Sequence, residues 1–327
     1  MNYRSTLGRA CCVAAMALLA PTGPAAAQDR AAGGGYDILL SNDDGVNTAN
    51  ILALAETLKE MGNRVVISTP CRNSSGSGAL AIFYKPLGPL QTDCRDGAVK
   101  AGAAGVGPVD PADPTVHYVD GSPVMSLVYG VEVVAPAIWG KGPDLVISGP
   151  NEGYNTGLVT PSSGTVANAA HALQRRIPAI AISADSSTRG DEAAAAAVAA
   201  ALKPILEKIL SAEGPMPGSI GLSINVPKFD PAGPAPTPEY TVVGRGTKYL
   251  LNFVPDLSQH EIGRKYAKES APGFVLTPFP PDSDDEEAAA IARGHISVSL
   301  IQGGFDAEAD TAGDIAAWKE RLKPVFE

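Results

Sequence analysis

The feature that most constrains this chain is a series of short, unbroken apolar runs, each followed by a polar or Gly-rich loop. Residues 36–41 (YDILLS), 64–69 (RVVIST), 144–148 (DLVIS), 178–183 (PAIAIS) and 219–225 (SIGLSIN) are such runs. A strand with one solvated face alternates apolar and polar residues, whereas a strand covered on both faces reads as a continuous run. Segments of helical period separate them. Ile51, Leu54, Ala55 and Leu58 recur at helical spacing, and Gly62 stands where such a helix would stop. Residues 122–135, 165–175 and the Ala-rich stretch 191–210 read as further helices. Strand–helix–strand repetition of this kind predicts a doubly wound α/β domain with a mainly parallel sheet over residues 36 to 227.

The texture changes after Pro227. A Pro- and Gly-rich segment, 228–239 (KFDPAGPAPTPE), leads into strand-like stretches at 240–244, 274–279 and 295–301. The last, HISVSLI, alternates as a half-exposed strand should. These stretches predict β hairpins or an extension over 228–303. The acidic run 280–289 (PPDSDDEEAA) reads as a solvated loop or helix start, and a final helix is expected over 311–325 within the tail 304–327.

A chain of 327 residues with 45% hydrophobic residues can bury a sizeable core. The formal charge is −10, and it becomes more negative once the first 27 residues, which carry Arg4 and Arg9 but no acid, are set aside. That balance excludes a long nucleic acid as partner, because such binding needs Lys and Arg to replace counterions. A small phosphorylated substrate remains compatible if a bound cation supplies positive charge. Arg4 and Arg9, the apolar run 11–20 and the small residues Ala25, Ala26 and Ala27 read as a cleavable secretion signal over 1–27. Residues 28–35 read as a flexible leader. The run 11–20 is too short for a comfortable membrane span, so the expected mature protein is exported, periplasmic or secreted, without a membrane anchor. Cleavage would leave Cys71 and Cys94, which either form one disulfide or stay as free thiols.

In an open α/β sheet, ligands bind beyond the carboxyl ends of the strands. There this chain carries Asn42-Asp43-Asp44-Gly45, then Arg72-Asn73-Ser74-Ser75-Gly76-Ser77-Gly78, then Gly149-Pro150-Asn151-Glu152-Gly153-Tyr154-Asn155. Adjacent acids raise each other's proton affinity unless a cation lies between them. Asp43, Asp44, Ser75 and Asn151 form an oxygen-only set suited to Mg²⁺ or Mn²⁺, whereas no His or Cys cluster suits Zn²⁺. Taken alone, NDDG also reads as a turn with solvated acids. Ser163-Gly164-Thr165 equally reads as a helix cap or as a phosphate cradle.

The motifs ILLSNDDG (38–45), RNSSGSG (72–78), GSPVMSLVYG (121–130), DLVISGPNEGYNTG (144–157), SSGTVANAA (162–170), IPAIAIS (177–183) and LSINVP (222–227) resemble those of the SurE nucleotidases, also called survival acid phosphatases. The segment 283–300 resembles that family's closing strand. The resemblance implies a Rossmann-like domain with a C-terminal β-hairpin extension that pairs subunits into homodimers or homotetramers. It implies hydrolysis of nucleoside monophosphates, with Asp43, Asp44, Ser75 and Asn151 ligating the divalent cation and Asp43 and Asp44 catalytic. Asn42, Gly76, Asn155, Ser163, Gly164 and Thr165 would line the phosphate pocket. Where family members commonly carry a carboxylate, this chain has His171, read as a helix-surface side chain. Two rival readings are a haloacid dehalogenase-like phosphatase with an Asp nucleophile and an exported, non-catalytic ligand-binding protein on the same fold. The first needs two Asp residues separated by one position, and here the pair is adjacent.

Overall fold

A computed structural model describes residues 34–214, 216–304 and 311–326. The expected signal segment, and the leader up to residue 33, lie outside the described residues. In chain order the strands and α-helices are β1 (Asp37–Ser41), α1 (Ala49–Glu60), β2 (Arg64–Pro70), β3 (Val106–Asp110), β4 (Asp113–Val119), α2 (Pro123–Tyr129), α3 (Ala135–Trp139), β5 (Leu145–Glu152), α4 (Gly164–Gln174), β6 (Ala179–Ala184), α5 (Glu192–Ser211), β7 (Ile220–Val226), β8 (Pro238–Thr241), β9 (Thr247–Val254), β10 (Gly273–Phe279), α6 (Glu287–Ala292), β11 (Ile296–Gln302) and α7 (Thr311–Phe326).

The main sheet has nine strands in the order β3-β4-β2-β1-β5-β6-β7-β11-β8. From β4 to β7 every neighbouring pair is parallel, and β3 and β11 run antiparallel to their neighbours β4 and β7. Successive side chains of a strand point to opposite faces, and both faces are covered. Ile38 and Leu40 pack with Leu54, Leu58, Leu202, Ile205 and Trp318 from α1, α5 and α7. Leu39, Val66 and Val146 pack on the other side with Leu127 of α2 and Ala169, Ala172 and Leu173 of α4. The unbroken apolar runs of the sequence are therefore strands sandwiched between helices. The α7 helix is pinned by Trp318, whose buried indole N–H donates to the Ile220 carbonyl, and by Arg321, which donates to the carbonyls of Ile209, Ala212 and Gly214.

The helix expected over 122–135 is broken. After α2 a π-type turn spans Gly130–Val134 before α3 begins. The Ser68 hydroxyl donates to the Ser126 carbonyl at 2.7 Å and so competes with the regular ladder. Gly130 lies so close to the sheet that a Cβ there would stand 2.8 Å from Leu39.

The segment expected to be a half-exposed strand is instead buried over Ile296, Ser297, Val298 and Ser299. It lies inside the main sheet, paired with β7 on one side and β8 on the other. Its serines face a polar interior, where the Ser299 hydroxyl meets Thr241 at 2.7 Å. The main sheet thus continues past residue 227, and only β9 and β10 form a separate two-stranded antiparallel ribbon. The sequence reading passed over β3, β4 and β9.

The acidic run ends in buried groups. Glu286 accepts from the backbone N–H of Arg245, Gly246 and Asp282 at 2.7 to 2.9 Å. Glu287 is fully buried, and burial pushes its carboxyl up to about 8 against the favourable influence of Ser223, Ser299 and the Gly157 N–H. None of those groups reaches hydrogen-bonding geometry with it. An unfolded Glu releases its proton near 4.5, so the folded state binds one more proton between that value and about 8. Stability is complete below the lower value and is lost as pH rises through the window. Thermal unfolding with EDTA present should give a midpoint that drops from pH 5 to pH 8, and Glu287→Gln should flatten that drop. A slope unchanged by the substitution would contradict this assignment.

Candidate functional site

The strand order reverses direction at β1. The chain passes from β1 to β2 on one side, while β5 lies on the other. Connections that leave in opposite directions open a crevice at the carboxyl ends of these strands. Three loops and one helix start converge there. The turn after β1 is closed by Asn42, whose side-chain oxygen accepts from Gly45 N–H at 3.2 Å while its amide donates to the Gly45 carbonyl at 3.0 Å. Gly45 takes φ +104°, which disfavours any side chain. The loop after β2 is stitched to this turn, since Ser74 N–H donates to the Asp43 carbonyl at 2.7 Å and Asn73 donates to the Asp44 carboxylate at 3.4 Å. It is also tied to the approach to α4, with Gly78 N–H on the Ser162 carbonyl at 3.0 Å.

The end of β5 closes the third side. Its register against β6 shifts between Ser148 and Asn151, and such an irregularity re-aims the side chains beyond it. Glu152 N–H donates to the Asp44 carboxylate at 3.0 Å. Asn151 donates to the Gly153 carbonyl at 2.7 Å, while its side-chain oxygen is buried with no partner. From the fourth side, Thr165 of α4 donates its hydroxyl to the Asp43 carboxylate at 2.6 Å. Gly164 abuts the same residue, and a Cβ there would stand 2.6 Å from the Cβ of Asp43.

Asp43 and Asp44 are 3% and 1% exposed. Burial raises the proton affinity of the Asp43 carboxyl, opposed by the Thr165 hydroxyl and the Gly164 N–H. Burial raises Asp44 further, and the charges of Asp43 and Glu152 add to it, against the Glu152 N–H and Arg95. The nearby cations are spent elsewhere. Arg95 forks onto Glu152 at 2.8 and 3.1 Å, and Arg189 reaches the same carboxylate at 3.2 Å. Among the described residues, neither Asp43 nor Asp44 is paired with a Lys or Arg side chain. Two buried acids without a counter-ion and an orphaned amide oxygen beside them form a donor set that a hard divalent cation fits. No group of three or more His, Cys, Asp or Glu side chains able to hold a metal occurs among the described residues. A cation held by this acid pair would need neutral oxygens, such as that of Asn151, to complete its shell.

The remaining expected residues take different parts. Asn42 and Thr165 are fully buried and spend their polar groups on shaping the carboxylate turn. Ser163 caps α4 by accepting from Val166 N–H at 3.1 Å. Ser75 and Gly76 stand exposed at the tip of their loop, and Gly76, with φ +82°, has open space beside it. Asn155 is held by Asn225, which accepts from its N–H at 2.9 Å, and by Ser183, which accepts from its amide at 2.9 Å. His171 is half-buried on α4, and burial together with Arg175 lowers its proton affinity against the charge of Glu132.

Sequence reasoning missed Glu152, Arg95, Arg189, Asn73 and Asn225. Glu152 and Asn73 sit inside quoted motifs, one residue from Asn151 and two from Ser75, so proximity could have found them. Arg95 sits in a stretch with no periodicity, and no local signal could have. Cys71 and Cys94 are joined by a disulfide, their Cα atoms 4.8 Å apart. Beside the carboxylate turn lies a cavity of about 230 Å³ lined by Arg72, Asn73, Ser74, Leu80 and Asp120. The ribbon's first strand reaches the rim, where Lys248 lies 4.5 Å above the Tyr154 ring.

The chain is similar to known proteins along most of its length. The family described as Survival protein SurE matches residues 38–248. An acid phosphatase of Yarrowia lipolytica is 32% identical over 300 residues, which cover 85% of this chain and 82% of that protein. A 5′-nucleotidase SurE of Pelotomaculum thermopropionicum is 30% identical over 265 residues, 81% of this chain and 88% of its own length. The crystal structure of the SurE protein from Aquifex aeolicus superposes with a TM-score of 0.61 at 25% identity, covering 86% of this chain and 99% of that one. With the family match running from the first strand of the sheet to the start of the ribbon, and with the fold shared across the parallel core, this chain belongs to the SurE family.

Proposed function

We propose that this protein is a metal-dependent phosphomonoesterase that releases phosphate from nucleoside 5′-monophosphates, with 3′-monophosphates as further substrates. The observation that carries the reading is the pair of buried, uncompensated carboxylates of Asp43 and Asp44 beside the orphaned oxygen of Asn151. The names of the relatives, an acid phosphatase and 5′-nucleotidases, support it.

Asp43, Asp44, Ser75 and Asn151 would hold Mg²⁺ or Mn²⁺. The chemistry available from such a cation, when bound, is charge neutralisation at the phosphoryl oxygens and acidification of water. The chain's own groups do the rest. Thr165 and Gly164 fix one oxygen face of Asp43, and Glu152 N–H fixes Asp44, so both carboxylates are presented in one orientation. The N-terminal end of α4 directs its helix dipole at the same point, which favours a phosphate there. Asn155 and the Gly76 backbone would be the donors to the remaining oxygens. As water attacks phosphorus and the ester P–O bond breaks, one carboxylate of the pair accepts the water proton, and the departing nucleoside oxygen takes up a proton from that carboxylic acid or from solvent to leave as the alcohol.

The disulfide Cys71–Cys94 supports an oxidising compartment, periplasmic or secreted. Self-association into homodimers or homotetramers is supported by the ribbon, whose Leu251, Phe253, Phe274 and Leu276 are each more than half exposed.

Phosphate release from AMP, GMP, 3′-AMP and p-nitrophenyl phosphate should require Mg²⁺ or Mn²⁺ and stop with EDTA. Asp44→Asn should lose more than about tenfold in rate, the equivalent of about 1.4 kcal/mol of barrier. Binding of nucleotide without release, in every metal, would favour the non-catalytic ligand-binding reading, and a trapped phospho-enzyme would favour an Asp nucleophile. Gly164→Ala, which drives a methyl against Asp43, should lower activity by at least about tenfold while the protein still unfolds cooperatively. Full activity in that variant would mean that the α4 start does not set the carboxylate. Light scattering should give a dimer or larger, and the double substitution Phe253→Asp with Phe274→Asp should give a monomer. An unchanged mass would remove the ribbon from the interface.

A further inference from the structure

Among the described residues, Arg95 is the one cation that touches both the carboxylate turn and the end of β5. Its guanidinium donates to both Glu152 oxygens, at 2.8 and 3.1 Å, and to the Asp44 main-chain carbonyl at 2.9 Å. Its side chain is 18% exposed, and that of Glu152 is 1% exposed. The other partner of Glu152, Arg189, is 60% exposed and makes a longer contact of 3.2 Å. Arg95 therefore supplies most of the desolvated positive charge opposite Glu152. Were it absent, the Glu152 carboxylate would be a third buried acid next to Asp43 and Asp44.

What holds Arg95 in place is not regular secondary structure beyond a single 3-10 turn, Arg95–Gly97. The residue before it, Cys94, is bonded to Cys71 at the end of β2, and Arg95 N–H donates to the Cys71 carbonyl at 2.9 Å. Cys71 and Cys94 sit in a small apolar cluster with Val46, Leu90, Val99 and Tyr118. Val46 follows the carboxylate turn directly. One covalent link thus fastens an otherwise irregular segment to the strand whose loop faces the site.

We infer that Arg95 is a positioning residue for the cation site and that the Cys71–Cys94 disulfide sets its place. The inference rests on the proposed cation between Asp43 and Asp44. Arg95 cancels the charge of Glu152 and ties down the Asp44 main chain, so that the two aspartates meet the cation as a fixed pair rather than within a cluster of three acids. The disulfide acts on the site through this side chain.

Mn²⁺ binding by calorimetry and p-nitrophenyl phosphate hydrolysis, measured on the same samples, test it. Arg95→Met should lower p-nitrophenyl phosphate turnover at least about tenfold while cooperative unfolding is kept, and should tighten rather than weaken Mn²⁺ binding, because the uncovered Glu152 carboxylate offers the cation a third acid. Arg95→Lys should retain part of the turnover. Adding Glu152→Gln to Arg95→Met should return Mn²⁺ affinity to that of the unaltered protein and restore part of the turnover, because the charge that Arg95 covers is then gone; a merely structural role would not be rescued by a second substitution. Cys71→Ala with Cys94→Ala should lose turnover to the same extent as Arg95→Met, and combining all three should lose no more. Wild-type turnover or weakened Mn²⁺ binding in Arg95→Met, or no rescue by Glu152→Gln, would overturn the role of Arg95. Wild-type turnover in the folded cysteine variant would overturn the role of the disulfide. Failure of the unaltered protein to bind Mn²⁺ would instead overturn the proposed cation site itself.

Discussion

Two neighbouring carboxylates, taken out of water and left without a counter-ion, are the interaction around which the rest of this structure is arranged. Like charges about 4 Å apart near a protein surface repel by about 4 kcal/mol, and burial adds to that cost. A chain could relieve it by swinging one acid into solvent. Here that route is closed. Thr165 holds Asp43 at 2.6 Å, Glu152 N–H holds Asp44 at 3.0 Å, and the two arginines within reach are engaged by Glu152. What remains is a site whose electrostatics call for a cation and whose donors are oxygens.

The sheet makes this possible. Because β1 lies between β2 and β5, its carboxyl end is the place where chain segments far apart in sequence arrive from both sides. Hydrogen bonds join Asp44 to Glu152 across 108 positions and Asp43 to Thr165 across 122. The core under the site is aliphatic and sealed on both faces, which keeps strand ends fixed to within the tolerances that paired carboxylates need. The disulfide adds to this frame by tying the irregular segment around Cys94 to the residue that follows β2.

Much of this was legible in the amino-acid order. Continuous apolar runs marked the buried parallel strands, since alternation would have betrayed a solvated face, and the polar loops after them pointed to one edge. The misreadings have physical causes. Alternating serines in β11 resemble a half-exposed strand, yet both are buried, and Ser299 meets Thr241 rather than water. Glu287 looked like one of a solvated acidic run and is fully buried. The break after α2 depends on how closely Gly130 approaches Leu39 and Ser68, a tertiary contact without local signature. Arg95 belongs to an aperiodic stretch, and its neighbour Cys94, cross-linked to Cys71, and its own N–H bond to the Cys71 carbonyl place it beside Glu152. Side chains whose task is to hold other side chains, such as Thr165 and Asn225, were visible as types but not as roles.

Anomalous diffraction from crystals soaked in Mn²⁺ tests the central claim most directly. The account predicts a single strong peak at coordination distance from carboxylate oxygens of Asp43 and Asp44 and from the side-chain oxygen of Asn151. A soaked crystal with no peak between these three residues, or with the metal elsewhere, would contradict it.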